Sequence, residues 1–278
     1  MIYHVTYLSG GFKVKGYLAI PHGYALPDSE LRQMISRYYG LSDLPLTKVA
    51  DSIHREPRDI REYTLPALIY CRGGIGKVGS VKMHWMEQFA RYGYVIFAPS
   101  YRGNEGGEGY DQFGGEDKED VLSAFRLLQS LPFVNSEQIS VMGFSRGAIN
   151  ATLAAVEETQ VHRLILWSGV SDLAQTYEER VDLRRMLKRV LGGSPMKIPD
   201  AYHQRSPLYI ANRILCPVLI IHGTQDIQVD IRHGINMYKK LKELGKMAEF
   251  HCYQGYGHHF PPQIHHEAID RMFAWINT

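Results

Sequence analysis

The chain has 278 residues, 45% hydrophobic and 22% charged, with a formal net charge of +2. That is long enough for one sizeable core and too apolar for a disordered chain. Acidic and basic residues are interspersed, and no apolar run approaches the ~18 residues of a membrane span, so neither a nucleic acid nor a membrane is expected as a partner. Residues 1–10 lack a basic start and a continuous apolar stretch, which predicts no signal peptide. Residues 3–8 and 12–20 alternate as two strands joined at Ser9-Gly10-Gly11, a hairpin signal. Residues 24–64 are polar and irregular, apart from one predicted helix over 29–39 with Leu31, Met34, Ile35 and Tyr38 on one face. The segment reads as an insertion, serving as a lid, an edge cover or the arm of a homo-oligomer.

From residue 65 the pattern changes. A buried strand over 65–71 runs into Arg72-Gly73-Gly74, and a helix is predicted over 81–92. A strand over 94–98 follows, then a glycine-rich loop to Gly107 and a helix over 116–131. Further strands are predicted at 139–142, 163–167, 218–222 and 249–253, with helices at 148–156, 181–191, 231–244 and 267–276. Strands alternating with helices of this length predict an α/β fold, with a mostly parallel twisted sheet, helices on both faces and an N-terminal antiparallel hairpin. No internal repeat or linker divides the chain, so residues 1–278 read as a single domain, with a cap-like segment at about 171–212. Cys71, Cys216 and Cys252 are odd in number and lie in or beside apolar runs, which suits reduced thiols in the cytoplasm.

The strand at 139–142 leads into Gly143-Phe144-Ser145-Arg146-Gly147, a Gly-x-Ser-x-Gly pattern followed by a helix. In that setting the pattern is a nucleophile elbow, a sharp turn that lifts a serine above the sheet. A serine hydroxyl is a poor nucleophile at neutral pH. It needs an imidazole to take its proton and a carboxylate to orient that imidazole. Both candidates follow, each after a strand: Asp226 in His222-Gly-Thr-Gln-Asp226, and His258 in Gly255-Tyr-Gly-His258. Asp172, Asp230 and His259 are rivals by position, and His222 reads as a structural hydrogen bonder. The histidines at 251, 258, 259, 265 and 266 lack acidic or cysteine partners at ligand spacing, so no metal and no cofactor is expected.

The segments His222-Gly-Thr-x-Asp-x-x-Val229, Gly255-x-Gly-His-x-Phe260, Tyr101-Arg-Gly103 and Glu119-Asp-Val121 resemble the catalytic domain of the prolyl oligopeptidase family, within the α/β-hydrolase superfamily. The resemblance runs from about residue 63 to 278. It implies Ser145 as nucleophile, Asp226 as acid and His258 as base, on a chain with no room for the propeller domain of many relatives. An oxyanion hole is expected from the backbone N–H of Arg146 together with Gly73 or Gly74. The chain departs from the family at Arg72, where relatives often carry tyrosine or histidine, and this favours backbone donation. Arg72 and Arg146 could place positive charge at the pocket mouth, and Tyr177 and Tyr202 of the cap-like segment could wall an acyl pocket. The Arg of Tyr101-Arg102-Gly103 is expected to tie its loop to a neighbouring carboxylate. The function implied is hydrolysis of peptide or amino-acid-derived acyl bonds in small molecules or short peptides. The alternatives are a carboxylesterase and a non-catalytic binding module.

Overall fold

The computed structural model describes residues 1–51 and 56–278, so residues 52–55 of the predicted insertion lie outside the described residues. The strands in chain order are β1 (Ile2–Ser9), β2 (Phe12–Ala19), β3 (Tyr24–Ala25), β4 (Leu46–Ala50), β5 (Arg58–Asp59), β6 (Leu65–Cys71), β7 (Val95–Pro99), β8 (Val134–Phe144), β9 (Leu164–Trp167), β10 (Val218–Gly223) and β11 (Ala248–Tyr253). β3 and β5 form a separate short ribbon, and the other nine make one sheet in the order β11-β10-β9-β8-β6-β7-β2-β1-β4. Pairing is parallel from β7 through β6 to β11. It is antiparallel for β2, β1 and β4. The predicted α/β-hydrolase architecture, with its N-terminal antiparallel hairpin, is therefore present.

The helices are α1 (Asp28–Tyr38), α2 (Met83–Ala90), α3 (Lys118–Ser130), α4 (Gly147–Glu157), α5 (Leu173–Glu179), α6 (Arg184–Leu191), α7 (Pro199–His203), α8 (Pro207–Ile210), α9 (Arg232–Glu243) and α10 (Pro262–Ile276). Side chains of a strand alternate between the two faces of its sheet. On β6, Ala67, Ile69 and Cys71 enter the core layer shared with α3, α4 and α9. Leu68 and Tyr70 enter the opposite layer with α2 and α10. Both faces are covered, which is why the strand reads as an unbroken apolar run. α10 starts at Pro262 rather than at 267, because proline suits a first helical turn whose N–H groups have no partner to lose.

Residues 24–64 are more integrated than an insertion implies. Leu26, Leu31, Ile35, Leu44, Leu46 and Ile60 all belong to the main core, and β4 pairs with β1 at the edge of the sheet. The chain leaves β6 for β7 on one side of it and then crosses to β8 on the other. Strand order reverses at that point, and the loops at the carboxyl ends of β6 and β8 leave a crevice there.

Candidate active site

Ser145 follows β8 directly and has φ = +56°, a left-handed conformation rare for a residue with a Cβ. Three backbone hydrogen bonds hold it. Its N–H donates to Trp167 O (2.9 Å), and its carbonyl accepts from Ala148 N (3.1 Å) and Val170 N (3.2 Å). The flanking glycines are steric necessities, since a Cβ on Gly143 would strike the Ala148 backbone and one on Gly147 the Cys71 carbonyl. Gly73 is similarly confined, as its Cβ would lie 2.9 Å from Ser145 Cβ. Ser145 stays partly exposed in the wall of a cavity of about 440 Å³.

His258 lies in the loop after β11, and its ring centroid sits 4.8 Å from that of Phe144. Its Nδ1 is 2.7 Å from Asp226 Oδ2, and both residues are 6% exposed. Asp226 Oδ1 accepts from the N–H groups of Gln228 and Val229, each at 2.9 Å. His222 Nε2 lies 2.9 Å from Val229 O and 3.4 Å from Asp226 Oδ2. A carbonyl can only accept, so Nε2 carries the proton and faces both acceptors. Burial opposes the charge on Asp226, but hydrogen bonds from His222, His258 and the Val229 amide outweigh it and hold its carboxyl well below the usual carboxylate range.

The two rival carboxylates sit elsewhere. Asp172 caps α5 by accepting from Ala174 N and Gln175 N (2.9 and 3.1 Å). Asp230 pairs with Arg232 at 3.0 Å. His259 neighbours the cavity, but its ring packs on Phe144 and His258.

The expected charge at the pocket mouth is corrected. Arg72 is 1% exposed, donates to Ser100 O (2.6 Å) and Gly73 O (3.1 Å), and lies over the Tyr101 ring. The Arg146 side chain is 3% exposed, and its fork engages Asp111 and reaches Asp117 Oδ2 at 2.7 Å and Gly74 O at 3.0 Å. Both guanidiniums therefore brace the Gly73-Gly74 turn from behind instead of meeting a substrate. Tyr202 is fully buried with its hydroxyl on Gly193 O (3.1 Å), and Tyr177 packs edge-on against it in the cap. Neither forms the cavity wall. The cap contributes Thr176, Arg180, Leu183 and Met186 instead. Burial competes with access, so Tyr177 and Tyr202 join Leu173 and Leu187 in the cap's own core, with Leu183 and Met186 at its edge. Tyr70, stacked on Trp85 at 5.5 Å, and Lys82 also line the cavity and were not foreseen as pocket residues. Arg102 does tie its loop to a carboxylate, through Nη2 to Asp120 Oδ1 at 2.8 Å.

The turn has a fixed direction. In a trans peptide the carbonyl and the following N–H point opposite ways. Arg72 O accepts from the Tyr101 hydroxyl (3.2 Å) and Gly73 O from Arg72, so the Gly73 and Gly74 N–H groups face away from that buried layer.

The model of the prolyl oligopeptidase family matches residues 80–278. The uncharacterized peptidase YtmA of Bacillus subtilis is 41% identical over 278 residues, covering all of this chain and 93% of its own length. Dipeptidyl-peptidase 5 of Porphyromonas endodontalis is 23% identical over 69% of this chain, which is 30% of that protein. Among solved structures, a Mycobacterium tuberculosis puromycin-hydrolyzing peptidase superposes with a TM-score of 0.75 at 21% identity, over 99% of this chain and 38% of its own. A Pyrococcus horikoshii acylaminoacyl peptidase gives 0.74 at 20% identity, over 99% and 41%. The chain thus spans nearly all of YtmA but well under half of the larger relatives, and these two structures bear on the fold alone. The match to the family model and the identity to YtmA, on a fold of this kind, show that the chain belongs to the prolyl oligopeptidase family of serine hydrolases.

Proposed function

We propose that Ser145, His258 and Asp226 form a catalytic triad that hydrolyses peptide or amino-acid-derived acyl bonds in short peptides. The observation that carries this reading is the 2.7 Å bond between His258 Nδ1 and Asp226 Oδ2, beside a serine held on a strained elbow. That bond places the proton on Nδ1 and leaves Nε2 as the base. Nε2 takes the Ser145 proton as Oγ attacks the carbonyl carbon, and Asp226 stabilises the imidazolium that forms. The oxyanion is received by the N–H of Arg146 and by Gly73 or Gly74, whose orientation away from the buried arginine layer supports that role. Collapse of the tetrahedral species expels the amine, which takes the proton back from His258. Water then repeats the sequence on the acyl-enzyme.

Phe113, Val170, Leu183 and Met186 give the cap side of the cavity an apolar wall suited to an acyl side chain. We place the enzyme in the cytoplasm, a reading supported by three free thiols, Cys71, Cys216 and Cys252. Among the described residues no helix is long and apolar enough to cross a membrane.

A fluorophosphonate probe tests the triad. The folded wild type should label at one site and Ser145→Ala should not, with kcat/KM falling by roughly 10⁴-fold or more. Equal labelling of the two proteins overturns the assignment. A parallel panel of aminoacyl amides and short-chain acyl esters decides between peptidase and carboxylesterase, since turnover confined to the esters removes the peptidase reading.

A further inference from the structure

The cavity does not end at His258. A second groove of about 290 Å³ adjoins it, and Lys82 and His259 form part of both walls. Trp85, on α2, and the imidazole of His265, on α10, pack on each other at 4.6 Å and wall this groove together. No Asp or Glu stands among the described residues lining either space.

Of the cationic side chains near the mouth, Arg180 is engaged, with Nη2 on Asp182 (2.7 Å) and Nη1 on Gln228 O (3.0 Å). Lys82 differs. It is partly exposed, and its ammonium makes no hydrogen bond or ion pair with any described residue. Its backbone is nonetheless fixed, because its carbonyl accepts from Trp85 N (3.0 Å) and Met86 N (3.3 Å) as α2 begins. A free three-donor head on an anchored backbone suits a carboxylate.

Which part of a substrate meets Lys82 follows from the reaction order proposed above, on which this inference rests. His258 returns its proton to the departing amine, so the leaving group lies against His258. The groove that runs on past His259 is then where the remainder of that group extends. In a peptide cleaved near its end, the leaving portion terminates in a carboxylate. A free amine would need an acidic acceptor, which these walls lack. We propose that Lys82 binds the terminal carboxylate of a leaving amino acid or very short peptide, and so directs cleavage to the C-terminal end of short substrates.

Three substrates sharing one acyl group test this: an N-acyl-phenylalanyl-glycine free acid, its glycinamide counterpart and the p-nitrophenyl ester of the same acyl group. Active-site titration with a fluorophosphonate puts every variant on a per-site basis, so that poor folding does not enter the ratio. The wild type should favour the free acid over the amide in kcat/KM by about tenfold, the effect of one charge-assisted contact. That ratio should fall to about one in Lys82→Met, recover in part in Lys82→Arg and reverse in Lys82→Glu. Equal rates for acid and amide in the wild type, or a ratio that survives Lys82→Met, with the ester turned over, overturn the Lys82 assignment alone. Failure to hydrolyse all three overturns the hydrolase reading and this inference with it.

Discussion

Arg146 follows the serine in sequence, yet its side chain turns into the protein between the rings of Tyr101 and Phe113, 4.6 and 4.7 Å from their centroids. Burial opposes its charge, but Asp111 and Asp117 hold its pKa above the ordinary arginine value. Asp117 also accepts from Asn150 Nδ2 (2.9 Å) and from the Gly114 and Gly115 amides, so one buried carboxylate joins α3, α4 and the glycine loop. Removing the cation leaves two carboxylates poorly compensated. Arg146→Met is expected to lower stability by roughly 3–5 kcal/mol, measured by urea unfolding. Arg146→Lys should recover only part of that, since one ammonium cannot reproduce the fork. Adding Asp111→Asn to Arg146→Met should cost less than the two single losses summed, because the pair is in contact. A motif states which residue type follows a serine but not where that side chain turns. Ser145, Asp226 and His258 could be singled out as candidates because the chemistry restricts residue type and order, and the structure brings His258 and Asp226 into contact. The roles of Arg72 and Arg146 were not, because a buried and a solvated arginine look alike in a string of letters.

At the scale of elements, the loops after β10 and β11 depend on each other through His222. This residue, fully buried, meets Val229 O and Asp226 with one N–H and so couples the end of β10 to the acid loop. The folded pKa of Asp226 lies below its unfolded value, so its contribution to stability is complete above about pH 4. It is lost as pH falls through the folded value. His222→Leu removes the leading interaction that lowers this pKa, so the contribution should shrink and its loss be complete at higher pH. Circular dichroism across an acid titration should show the unfolding midpoint moved upward. An unchanged midpoint would mean that His222 does not stabilise the carboxylate. The acid limb of kcat/KM in the wild type should not report Asp226, which remains ionised throughout the working range. Strands such as β6 and β10 were legible because burial on both faces writes them as continuous apolar runs. The cap was not, because its short helices share one small core and periodicity does not say which aromatic faces inward. Tyr177 and Tyr202 were drawn into that core, and Leu183 and Met186 pack at its edge facing the cavity.

For the whole molecule, the decisive feature is how the edge of the sheet beyond β1 is closed. β1 is flanked by β2 on one side and by β4 on the other, and β4 is supplied by the polar stretch whose composition suggested an insertion. Lys48 on β4 lies 3.1 Å from Asp28, at the start of α1. A charged residue on an edge strand opposes pairing with another chain. Tyr3 of β1 donates to the same Asp28 carboxylate at 2.9 Å, so the edge strand, the hairpin and α1 meet at one point. The segment was hard to read because few of its residues are apolar, and Tyr38, Leu41 and Val49 among them are exposed while six aliphatic side chains anchor it in the core. Leu31 is 0% and Ile35 2% exposed. Among the described residues, none of those lining the cavity beside Ser145 comes from 24–64, which argues against a lid and for a structural edge. A detachable arm would tolerate truncation of these side chains, whereas a core element would not. Leu31→Ala is accordingly expected to cost about 2–5 kcal/mol and to lower the melting temperature by roughly 2–4 °C per kcal/mol. Fluorophosphonate labelling of Ser145 well below that temperature should proceed at the wild-type rate, because the lost packing lies outside the cavity wall. Calorimetry with labelling kinetics on the same sample separates the two roles. A variant as stable as the wild type would return residues 24–64 to the status of an appendage, and slowed labelling at full folding would return them to the active site.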